Sequence, residues 1–147
     1  CEQEQFTEGI LFEDTDWTPR MLVKAQRVAG TETMAYNYLW RESGITLSKG
    51  IAKLYKELDD KIALASRLKM WGDSAWYRGM ISALVVSIIN VLSHELYNDR
   101  EKYIGQLRNA NLFPLKVDRL NSKTRRKVRL INLSPALAVW MLHIKNR

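Results

Sequence analysis

Between residues 48 and 71 the apolar positions Ile51, Leu54, Leu58, Ile62, Ala65 and Leu68 recur at three-four spacing. That period predicts one amphipathic helix with a single apolar stripe. Glu57 and Lys61 add a favourable i,i+4 pair on its wet side. Gly72 closes the helix, and Asp73 or Ser74 caps the next. From Trp76 to Leu96 the pattern is apolar almost all the way round, which predicts a central buried helix. Ala75, Gly79, Ala83 and Ser87 recur every four residues and form a ridge of small side chains that another helix can approach closely. Residues 75–92 are short for a membrane span, which needs about 20 mostly apolar residues. They also include Arg78, Ser82, Ser87 and Asn90, so a core helix is the better reading.

Shorter elements flank this pair. Thr18-Pro19 predicts a helix start, with Met21, Leu22, Ala25, Val28 and Ala29 on one face and Gly30 as the stop. Thr31 or Thr33 caps a second helix that carries Met34, Leu39 and Trp40 and ends near Ser43-Gly44. Asn98-Asp99 starts a helix to about Asn109, and Pro114 forbids easy continuation. Apolar residues then tend towards alternation over 115–120 and 127–133, which predicts two short strands joined at Asn121-Ser122. Ser134-Pro135 repeats the cap-plus-proline device and opens a last, apolar helix. The expected fold is mainly α: five or six helices bundled around a central buried helix, with one short, wing-like C-terminal β-hairpin. Residues 1–16 form an acidic N-terminal segment, and residues 17–147 a single helical domain with its basic hairpin at about 115–133.

Charge changes this picture. The 46% hydrophobic and 27% charged content is ordinary for a soluble globular chain, but the net +7 is unevenly placed. Residues 1–16 hold six acids and no base, whereas residues 100–147 hold twelve bases and two acids. One end is thus a candidate for anion contact, and the acidic start is a candidate to fold back on it. The single cysteine, Cys1, excludes an internal disulfide, and an intracellular setting is expected.

The hairpin gathers the strongest candidates. Lys116, Arg119, Lys123, Arg125, Arg126, Lys127 and Arg129 face one acid, Asp118. Forked guanidinium and point-charge ammonium donors together suit phosphate oxygens. No aromatic residue lies within 115–133, so backbone or groove contact is expected rather than base stacking. Arg108 on the preceding helix supports this set.

Residues 39–58, LWRESGITLSKGIAKLYKEL, resemble a helix-turn-helix unit. Ser43-Gly44-Ile45 is the turn, Thr46 or Ser48 caps the second helix, and Lys49 and Lys53 stand on or near the helix that the resemblance would place in a major groove. Trp40 departs from the motif, which usually takes a small residue there.

Catalysis finds little support. His94-Glu95 lacks the second histidine of a helical zinc motif, and Asp59-Asp60 with Glu57 are neutralised by Lys56 and Lys61. No enzyme, cofactor or metal is expected. Of the five tryptophans, an exposed subset would mark an interface. The leading expectation is a nucleic-acid-binding domain of a larger protein or complex, with DNA favoured over RNA and no membrane partner. The rival is an assembly module whose basic patch meets an acidic protein surface.

Overall fold

The computed structural model describes residues 5–33 and 50–145. Among these the chain is mainly helical, with six α-helices, one 3-10 turn and no strand. It divides into two compact units, residues 1–57 and 58–147.

In the first unit α1 spans Glu13–Lys24. It starts well before the Thr18-Pro19 signal, and Pro19 lies inside the helix. The reason is electrostatic and local. Glu13, Asp14 and Asp16 occupy the first turn, where the helix dipole favours acids. Asp16 is also buried and paired: it accepts from Thr7 Oγ1 at 2.7 Å and from Arg20 Nη2 at 3.2 Å. Arg20 donates further to the Gln5 carbonyl at 2.9 Å, and Phe6 stacks on Trp17 with ring centroids 5.0 Å apart. Of the acidic start, Asp16 is therefore built into this unit on α1. The second expected helix and the Ser43-Gly44 turn fall in residues 34–49, outside the described residues.

α2, Ile51–Trp71, opens in the first unit and continues into the second, ending at Gly72 with φ of 147°. Ser74 caps α3, Ala75–His94, by accepting from the Tyr77 amide at 3.2 Å. A 3-10 turn, Tyr97–Asp99, leads into α4, Arg100–Asn109. α5 is Ser122–Leu133 and α6 is Pro135–Lys145, with the Ser134 hydroxyl accepting from the Leu137 amide at 3.2 Å.

α3 is the centre of the second unit and packs against α4, α5 and α6. Its Val85, Ile88, Ile89 and Leu92 are fully or almost fully buried, together with Tyr103, Leu107, Val128, Ile131 and Val139. Each such side chain contributes about 1.5–3 kcal/mol of transfer free energy. By length and composition alone α3 could cross a membrane; its buried face identifies it as the core helix of this unit.

The expected hairpin is absent: its second strand and tip are helix α5. Asn121 is an N-cap, not a turn residue, and its side chain accepts from the Thr124 amide at 2.9 Å. The inward positions Thr124, Val128 and Ile131 follow helical i, i+4, i+7 spacing, and Val128 and Ile131 are buried. Residues 115–120 are irregular.

Candidate polyanion interface

α5 is held from both ends and from below. Ahead of it, the segment after α4 is pinned to α3. Arg78 Nε and Nη2 donate to the two Asp118 carboxylate oxygens at 2.9 and 3.1 Å, and Nη1 donates to the Asp73 carbonyl at 2.6 Å. Ser82 donates to the Lys116 carbonyl at 2.7 Å. A Cβ placed on Gly79 would lie 2.8 Å from the Asp118 carbonyl oxygen, so only glycine admits this approach. At Gly79 the ridge of small residues on α3 thus receives loop backbone, while Ser87 on the same ridge accepts from Lys61 Nζ of α2 at 2.8 Å. Lys69 donates to the Asn111 carbonyl on the same side. Lys69, Arg78, Ser82 and Lys116 line a cavity of about 220 Å³ with Leu112 and Pro114. Arg78 holds the Asp118 carboxyl below its ordinary range, chiefly by direct hydrogen bonding, and Asp118 with Asp73 holds Arg78 above its own. At the other end, Asn132 accepts from the Leu115 amide at 2.7 Å and donates to the Leu115 carbonyl at 2.8 Å. That pair ties the loop to the end of α5.

With one face of α5 fixed on Val128 and Ile131, the helical repeat sets where its bases point. Arg125, Arg129, Arg126 and Lys123 fall in an outward arc of about 160° at 3.6 residues per turn. All four are exposed, and none of their side chains makes an ion pair or hydrogen bond with another described residue. Lys127 turns partly inward, donating to Asn90 Oδ1 of α3 at 2.8 Å. Burial, with Lys123 and Lys145 nearby, holds its ammonium below the ordinary lysine range. α6 packs against α5, and Lys145 near its end adds to the positive charge around Lys127. Lys145 was not among the candidate residues, because sequence alone does not bring the end of α6 back to α5.

The other candidates scatter. Arg119, with φ of 51°, lies over the Trp76 ring at 6.0 Å. Lys116 is exposed in the loop, and Arg108 is exposed in the last turn of α4. α4 packs on α3 and α6 rather than chiefly on α5, so the expected α4–hairpin pairing is replaced by the α5–α6 pair. Lys53 is on α2 within the first unit, and Lys49 lies outside the described residues. The helix-turn-helix resemblance rests largely on the same undescribed stretch.

Histidine chemistry is structural in this region. His143 stacks on Tyr97 with centroids 3.9 Å apart, and its Nδ1 is 2.8 Å from the Ser93 carbonyl oxygen. Arg100 covers Tyr97 at 4.3 Å. Among the described residues no group of three or more His, Cys, Asp or Glu gathers as a metal site. Comparison with protein-family models, curated proteins and solved structures finds no match for this chain.

Proposed function

We propose that this chain is a non-enzymatic, intracellular nucleic-acid-binding domain, part of a larger protein or complex, that grips the phosphate backbone through α5. The observation that carries the reading is the outward arc of Lys123, Arg125, Arg126 and Arg129, which has no carboxylate partner among the described residues. The arc begins at a helix N-terminus whose first turn holds no acid, so helix dipole and side chains both favour an anion. Asn121, Ser122 and the basic side chains supply phosphate donors, while no aromatic residue of α5 offers a stacking platform. A duplex backbone suits a straight helix about 18 Å long, with DNA preferred over RNA.

The test is titration of the protein with duplex DNA, single-stranded DNA and an acidic polypeptide at one ionic strength, repeated across salt. Duplex is expected to bind most tightly. The double substitution Arg125→Ala, Arg126→Ala is expected to flatten the log affinity against log salt slope by about 2. An unchanged slope overturns the reading, and tighter binding of the acidic polypeptide transfers the surface to an acidic protein partner.

A further inference from the structure

α6 is apolar almost all round its circumference, a composition that normally means burial on every side. Only half of it is covered. Ala138 and Val139 are buried against the unit, but Leu137, Trp140, Met141 and Ile144 share the opposite, outward arc. Trp140 is 49% and Ile144 51% exposed, and Leu133, at the corner just before α6, is 79% exposed. A phosphate backbone seated on α5 would leave this arc uncovered, so it calls for a different occupant.

Three features select that occupant. The arc is the convex outside of a helix, so it fits a soft or concave partner rather than offering a groove. Every charged residue after Asp118 is a base, including Lys145 on α6 and the unpaired Arg126 and Arg129 on the neighbouring helix. The arc also carries an indole, a ring with an apolar body and one polar N–H that suits the boundary between hydrocarbon and headgroups. Apolar residues with tryptophan on one side and only Lys and Arg beside them are the pattern of a helix lying in an anionic lipid surface.

We propose that the outward face of α6 docks in the plane of a membrane containing anionic lipid, with Leu137, Trp140, Met141 and Ile144 entering the interface and the bases of α5 and Lys145 meeting headgroup phosphates. The expectation of no membrane partner rested on the lack of a spanning segment; surface docking requires one apolar face and no span. The proposal goes beyond the nucleic-acid reading and stands on the apolar arc.

The experiment is co-sedimentation of the protein with vesicles of phosphatidylcholine alone and of phosphatidylcholine mixed with phosphatidylserine. Partition onto the mixed vesicles is expected to exceed that onto the neutral ones by about tenfold or more. Trp140→Ser with Ile144→Ser is expected to remove most of that partition while leaving duplex DNA affinity within about twofold, because the changes add no charge and these side chains are not phosphate ligands. Arg126→Gln with Arg129→Gln is expected to weaken both. No partition onto mixed vesicles overturns the proposal, as does full partition by the Trp140–Ile144 variant or equal partition onto both vesicle types. A wild-type dimer in solution that the Trp140–Ile144 variant disperses also overturns it and gives the arc to a second copy. Vesicle binding without duplex binding removes the nucleic-acid reading alone; duplex binding without vesicle binding removes this one alone.

Discussion

Arg78 and Arg126 are the same side chain in opposite circumstances. Arg78 lies on α3 with its three nitrogens engaged by Asp118 and the Asp73 carbonyl, and its guanidinium is also 3.4 Å from the Asp73 carboxylate. It clamps the loop that sets where α5 begins. Arg126 stands on the outside of α5 with no partner among the described residues, next to other bases. The first arrangement uses charge to hold backbone, and the second leaves charge available to something outside the chain. An exposed unpaired base is common on any protein surface. Four on one arc, three of them in the half of a helix where the dipole disfavours them, are a different matter.

The comparison is broken most severely at the clamp's closest approach. Gly79→Ala forces a Cβ to within 2.8 Å of the Asp118 carbonyl oxygen. Overpacking of that kind costs about 1–3 kcal/mol, of which better helix propensity returns at most about 1. The matched control is Gly105→Ala on α4, where nothing lies within 4 Å; it is expected to gain up to about 1 kcal/mol. Urea denaturation of both variants checks the contrast. Opposite signs are expected, and equal gains would show that the loop does not press on Gly79.

Acid sharpens the same clamp. The Asp118 carboxyl is held below its ordinary range in the folded state by Arg78, against about 3.9 when unfolded. The unfolded state thus binds the proton more readily, and the carboxylate's contribution to stability is complete above that value. It is lost as pH falls through the lower, folded pKa. Arg78→Gln is therefore expected to be less stable than wild type near neutrality. The gap between its denaturation midpoint and that of wild type should narrow in strong acid to what the Asp73 carbonyl contact leaves, and a gap undiminished there would show that the Asp118 pairing is not what Arg78 contributes.

α5 itself is tested at its cap. Asn121→Ala removes the acceptor of the Thr124 amide and is expected to destabilise the protein by about 1 kcal/mol, read as a fall in the denaturation midpoint. The same residue explains why this region misled the sequence reading. Asparagine followed by serine suits a tight turn and a helix N-cap equally well, since both use the short side chain to satisfy nearby amides. Val128 with Leu130 and Ile131 with Leu133 kept a partial alternation, while Val128 and Ile131 kept a helical step, and over twelve residues neither period dominates. What separates them is the surface beneath, Asn90 and the buried face of α3, which no local pattern shows. By contrast α2, α3 and α6 were legible because an apolar stripe that ends at Gly72 and two apolar runs that start at Ser74 and Ser134-Pro135 have clear boundaries. The basic residues of the candidate site were legible as a set. Their display along a helix, the contribution of Lys145 and the bare side of α6 required the α5–α6 pairing.

The smallest expected effect on stability carries the comparison furthest. Asn121→Asp keeps an oxygen acceptor at the N-cap and adds a negative charge where the helix dipole and the neighbouring Lys123 and Arg125 both favour one. It is expected to stabilise the fold by about 0.3–1 kcal/mol. The same charge competes with any phosphate brought to the start of α5, so duplex DNA affinity is expected to fall while the denaturation midpoint rises. A clamp residue could not separate the two readouts in this way, because strengthening a purely structural contact has no reason to weaken binding. If stability and affinity rise together in Asn121→Asp, the N-terminal half of α5 is not the part of the surface that meets phosphate, and the contact must be moved towards Arg129 and Lys145.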